Sequence, residues 1–101
     1  MAEQSIPERV AAGVALLDRV TPDWLERIDL DKLRLISTDQ CVLGQVYGSF
    51  GIGNNILYQS TDDAFWTSDA YGFLSRHSYD GSYDQLDAEW RRVITARREA
   101  A

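Results

Sequence analysis

Several residue types are almost missing from this 101-residue chain, and each scarcity narrows what the chain can do. One cysteine, Cys41, excludes an intramolecular disulfide and any multi-cysteine zinc site. One histidine, His77, means that any imidazole chemistry must pass through a single residue in the polar stretch Ser75-Arg76-His77-Ser78-Tyr79. No apolar run reaches membrane-spanning length, and nothing near Met1 reads as a basic start followed by an apolar core. The expectation is therefore a soluble protein of the cytoplasm, without a membrane partner. Bases are also short: 10 against 16 acids, for a net charge of −6. General binding to nucleic acid needs a basic surface that releases counterions from phosphate, so the overall balance speaks against it.

What is present suits one globular domain spanning residues 1–101. The hydrophobic share of 45% supports a core, and a chain of this length hides roughly two-thirds of its unfolded surface. Three tryptophans, five tyrosines and three phenylalanines are generous, enough to supply both a core and a contact surface.

Helical signals dominate. Ser5-Ile6-Pro7-Glu8 has the form of a capping box, and Val10, Val14, Leu17 and Val20 follow at helical spacing. Gly13 inside that helix costs about 1 kcal/mol relative to alanine, which a close crossing by another segment would justify. Thr21-Pro22 ends the helix and opens a short one through Trp24, Leu25 and Ile28. The alternation Leu33-Arg34-Leu35 predicts a very short strand or an extended connector. Ser37-Thr38-Asp39 offers caps for a third helix carrying Cys41, Val42, Val46 and Phe50. Gly48, Gly51 and Gly53, with Asn54-Asn55, predict a flexible glycine-rich loop over 48–60. A fourth helix is expected from Thr61-Asp62-Asp63 to a stop at Gly72, after which Phe73-Leu74 returns to the core. Asp80-Gly81-Ser82 then opens the last helix, whose Tyr83, Leu86, Trp90, Val93 and Ile94 line one face. The predicted fold is mainly α, a compact bundle of about five short helices with room for a small two-stranded β element. The last helix should pack on the first and on the Cys41 helix. A small α+β domain, pairing Leu33–Leu35 with Phe73–Leu74, is the alternative.

The ordered series Ala11-x-Gly13-Val14-x-Leu16-Leu17-Asp18, Pro22-x-Trp24, Ile28-Asp29-Leu30, Leu33-x-Leu35 and Cys41-Val42-Leu43-Gly44-Gln45, closed by Tyr83, Leu86, Trp90 and Ile94, resembles a family of small uncharacterised proteins. These are encoded by actinobacteria and by their tailed phages. The resemblance brings no known activity; it implies a small protein of the kind suspected of acting on a bacterial host. The preference for arginine over lysine, with Lys32 alone, agrees with a GC-rich origin.

Catalytic readings are thin. Cys41 and His77 form a nucleophile–base pair only if they meet, and Cys41 sits at the start of an apolar helix where packing is the usual role of a cysteine. Asp80-x-Ser82-x-Asp84 opens like a calcium loop, yet Gln85 and Arg91 occupy the positions where an EF-hand needs glycine and an acid. Gly48-x-x-Gly51-x-Gly53 lacks the Lys-Ser/Thr ending of a phosphate loop. Asp29 and Asp31 share a face only if extended, and capping or solvation accounts for them. No catalytic residue, metal ligand or cofactor site is assigned.

A contact surface fits better. Phe65 and Trp66 are adjacent, so one helical face cannot bury both equally. With Tyr58 or Tyr71, and rimmed by Asp62, Asp63 and Asp69, one of them can form an exposed aromatic patch of the sort that marks protein contacts. A broad buried face is the competing account. The expected function is a small non-enzymatic interaction protein, phage-derived in origin, that modulates a bacterial host protein; self-association through the same aromatics stays open. The alternative is a nucleic-acid role, either a DNA mimic or a weak DNA binder through Arg91, Arg92, Arg97 and Arg98. Arginines near a helix C-terminus complement its dipole, and that simpler explanation is sufficient and preferred for the cluster. Trp90 is expected in the core and Trp66 in a partly exposed setting.

Overall fold

Ser5 opens the first helix as its spacing from Glu8 requires. In the computed structural model, which describes residues 5–63, 66–75 and 81–100, the Ser5 hydroxyl accepts the Glu8 amide at 3.3 Å while the Glu8 carboxylate accepts the Ser5 amide at 3.2 Å. These reciprocal bonds satisfy donors that a helix start otherwise leaves open. Helix α1 runs Ile6–Val20 and buries Val10, Gly13, Val14, Leu16 and Leu17. A single 3₁₀ turn, Trp24–Arg27, follows. Helix α2 spans Val42–Tyr47, α3 spans Phe50–Ser60, and α4 spans Ser82–Ala100. The molecule is a small helical bundle with no strand among the described residues. Its radius of gyration, 12.6 Å, matches the value of about 13 Å typical of a compact chain of this length.

The core is built around Trp90. The α4 face carrying Leu86, Trp90 and Ile94 is buried against α1. The Trp90 ring meets Trp24 edge-on at 6.0 Å and stacks on Phe73 at 5.6 Å. Its indole N–H donates to the Gly72 carbonyl at 2.7 Å. Gly13 faces this junction. A Cβ there would run into the Tyr71 carbonyl oxygen and would sit 3.1 Å from both the Phe73 and Trp90 rings. The close crossing expected from a glycine inside a helix is therefore present, and Phe73 does return to the core.

Five expectations are corrected. The glycine-rich stretch 48–60 is not a loop: all but its first two residues form α3. Gly48, at φ +102°, ends α2 in a backbone conformation that side chains disfavour, and the Ser49 hydroxyl then caps α3 by accepting the Ile52 amide at 3.2 Å. Gly53 lies where α3 crosses α2, since a Cβ would come within 2.8 Å of the Leu43 Cβ. These glycines serve a turn and a close approach rather than freedom. The single Cys41 helix is accordingly two helices.

The segment after Thr61 is not a fourth helix over its described residues. Asp62 and Asp63 are irregular, and residues 68–72 form turns closed by Phe73 N–H donating to the Ser68 carbonyl at 3.0 Å. Neither Leu33–Leu35 nor Phe73–Leu74 is a strand, so the α+β alternative fails. Finally, α4 packs on α1 as expected, but the helix that opens at Cys41, α2, pairs mainly with α3 instead.

What takes the place of a strand pairing is a set of side-chain clamps from α4. The Asp87 carboxylate accepts the Leu35 amide at 2.7 Å. Arg91 donates to the Leu30 and Leu33 carbonyls, both at 2.6 Å. Arg98 donates to the Leu25 and Ile28 carbonyls. An irregular segment must satisfy its backbone groups somewhere, and here charged groups of α4 do so.

Candidate partner-contact site

The site is assembled where α1 and α3 end. The Arg19 guanidinium, in the last turn of α1, donates to the Ser60 carbonyl at the end of α3 at 3.3 Å. The chain then turns back: the Asp63 amide donates to the Thr61 hydroxyl at 3.2 Å, and the Trp66 amide to the Asp63 carbonyl at 3.2 Å. Trp66 lies between two tyrosines. Tyr58, projecting from α3, meets the indole edge-on at 6.1 Å; Tyr71 stacks on it at 5.9 Å, with planes 27° apart. Offset and edge-on pairs of this kind contribute beyond the area they bury.

Tyr58 is 61% exposed, whereas Trp66 is half-buried against the core. The Trp66 Nε1 atom is shut off from solvent without an acceptor. An indole N–H normally finds a partner when buried, so leaving this donor unpaired costs the fold some stability. The Tyr71 hydroxyl donates to the Asp63 carboxylate at 3.0 Å. Burial, and next this bond to a carboxylate, push the Tyr71 pKa above the ordinary phenol value. Tyr71 therefore stays a neutral donor.

Of the residues expected to form a contact patch, Tyr58, Asp63, Trp66 and Tyr71 are brought together. Asp62 is exposed beside Asp63, and Asp69 lies in the turn that leads to Tyr71. Phe65 lies outside the described residues. The part of the site not foreseen comes from α1. Ala12, Ala15, Leu16 and Arg19 share one flank of that helix and, with Thr61 and Tyr71, line an open groove of about 310 Å³. Their spacing of three, four and seven residues is a helical signal in its own right. It was masked by the stronger apolar stripe through Val10, Val14 and Leu17.

The candidate chemical groups have structural employment. Cys41 is buried and caps α2, its sulfur accepting the Gly44 amide at 3.2 Å. Burial raises its thiol pKa, the reverse of what a nucleophile requires. His77 and Asp80 lie outside the described residues. Asp87 is bonded to the Leu35 amide, and Glu89 pairs with Arg92. The Asp29 carboxylate accepts the Asp31 amide at 3.0 Å, a local turn. Among the described residues no three acidic, histidine or cysteine side chains converge as metal ligands do.

The four arginines of α4 are all engaged within the chain. Arg91 and Arg98 hold carbonyls, Arg92 pairs with Glu89, and Arg97 pairs with Asp18 at 2.8 Å. Also, no helix among the described residues is long and apolar enough to cross a membrane. Comparison with protein-family models, with curated proteins and with solved structures returns no match.

Proposed function

We propose that this is a small non-enzymatic interaction protein that modulates a protein of the bacterial cytoplasm, and that Tyr58, Trp66 and Tyr71 form its contact surface. The observation that carries the reading is the aromatic trio itself: one ring exposed, one half-buried, and one stacked on it and anchored to Asp63. Aromatic rings held in place lose little conformational freedom on binding, and contact hot spots are enriched in Trp and Tyr. The groove beside Tyr71, floored by Ala12, Ala15 and Leu16, gives a partner's side chain somewhere to insert, with Arg19 at its edge. Asp62 and Asp63 favour a partner presenting bases at the rim.

The resemblance to proteins of actinobacteria and their phages supports a bacterial target. The engagement of all four α4 arginines weighs against their serving as a phosphate-binding cluster.

Tagged protein recovered from an actinobacterial lysate tests the reading. Wild type should retain one protein in stoichiometric amount, and Tyr58→Ala should lose it without a change in melting temperature, since the Tyr58 ring is mostly in solvent. Equal recovery by both baits would remove the aromatic surface from the account.

A further inference from the structure

The charges around the aromatic trio are uneven. Asp62 stands midway in sequence between Tyr58 and Trp66, is exposed, and bonds to no described residue. Asp63 beside it accepts the Tyr71 hydroxyl at 3.0 Å. The base at this end of α1 is Arg19, whose Nη1 group is turned to the Ser60 carbonyl at 3.3 Å. The chain as a whole carries a net charge of −6. An anionic occupant is therefore repelled both at the site and at a distance, whereas a cation is drawn in.

The rings add a second preference of the same sign. Tyr58 is 61% exposed, and its ring stands at 69° to the Trp66 plane with centroids 6.1 Å apart. Two rings set at such an angle form a corner rather than a flat patch. A cation seated there lies within about 6 Å of a ring centroid, the range over which the negative face of an aromatic attracts it, and tryptophan is the strongest of these rings.

We propose that the corner between Tyr58 and Trp66 receives an arginine side chain of the partner protein, its guanidinium over the Tyr58 ring and its outer N–H groups toward the Asp62 carboxylate. The inference rests on the trio being the contact surface and specifies what the partner must present. Shape selects arginine over lysine. A flat guanidinium stacks on a ring while its fork of donors still reaches a carboxylate at the ring's edge; an ammonium is compact and more strongly hydrated. An apolar side chain in the corner gains nothing from Asp62 and would bury its charge without a counter-ion. The groove lined by Ala12, Ala15 and Leu16, on the α1 side of Tyr71, then takes an uncharged neighbour of that arginine.

Two-dimensional NMR of the full chain titrated with N-acetyl-argininamide tests the proposal, because the three indole N–H signals report separately. The Trp66 signal should shift saturably while those of Trp24 and Trp90, both fully buried, stay in place. The citrulline analogue, similar in shape but uncharged, should give no saturable shift, and the lysine analogue should bind more weakly. Added sodium chloride should weaken the argininamide by screening the attraction. Tyr58→Leu keeps an apolar side chain but removes the ring, and should weaken binding about two- to fivefold. Asp62→Asn should do so by about the same factor. Both positions are exposed, so both variants should match wild type in circular dichroism and melting temperature. No saturable Trp66 shift with argininamide, equal binding of the citrulline or lysine analogue, or undiminished binding by Tyr58→Leu would each overturn the proposal. A bacterial protein captured through Tyr58 alongside any of those results would keep the contact surface and remove the arginine alone.

Discussion

Replacing Trp90 by alanine removes the ring around which the bundle is organised. The side chain is fully buried, in edge contact with Trp24 and stacked on Phe73. Truncating a buried tryptophan costs about 3–5 kcal/mol in lost transfer energy and residual cavity. A second effect adds to this. The Gly72 carbonyl loses the indole N–H that it accepts at 2.7 Å, and an unsatisfied buried acceptor costs about 1–3 kcal/mol. Against a total stability of about 5–15 kcal/mol for a domain, Trp90→Ala should lower the melting temperature by tens of degrees or prevent folding.

Trp90→Phe separates the two contributions. It keeps an aromatic ring facing Phe73 and deletes the N–H donor, so its loss should be well below that of alanine but still measurable. Urea denaturation followed by circular dichroism supplies the free energies. A drop of less than about 1 kcal/mol for Trp90→Ala, within the range of surface substitutions and their errors, would refute the assignment of this ring as the centre of the core.

Gly13→Ala should destabilise the protein although it raises helix propensity by about 1 kcal/mol. The new methyl collides with the Tyr71 carbonyl, and urea midpoints decide the sign. Arg91→Ala should cost about 1.5–3 kcal/mol by releasing the Leu30 and Leu33 carbonyls. Arg91→Lys should not restore it, because an ammonium lacks the planar fork that reaches both. Cys41 should resist alkylation in the native protein at neutral and mildly alkaline pH, because burial raises its pKa and so depletes the thiolate. Labelling at the rate of a free thiol, measured by mass spectrometry without denaturant, would contradict its placement.

The helices with regular apolar spacing were readable from the chain. The Ser5–Glu8 box and the Leu86–Trp90–Ile94 face each rest on local chemistry, and both occur where expected. The purpose of Gly13 was readable as well, though not the identity of the segment that crosses it. Local pattern and structure diverge where a residue's role depends on distant partners. Gly53 looks like a helix breaker until the Leu43 side chain is placed against it. Leu33-Arg34-Leu35 alternates like a strand, yet its backbone is held by Asp87 and Arg91 from more than fifty residues away.

The contact site divides the same way. Adjacent aromatics followed by Tyr71 signalled a cluster that one helical face could not bury. The α1 wall of the groove, and the stacking of Trp66 on Tyr71, depend on α1 and α3 ending side by side, which no local pattern encodes.

The most direct measurement of the central claim is site-specific photo-crosslinking in a bacterial host, with a photoreactive phenylalanine analogue placed at position 58. A second chain carries it at position 36, where Ile36 is 59% exposed outside the aromatic trio and serves as the control for general stickiness. The account predicts one abundant adduct with a bacterial protein from position 58 and none with that protein from position 36. No adduct from position 58, or the same adduct in equal yield from position 36, would contradict it.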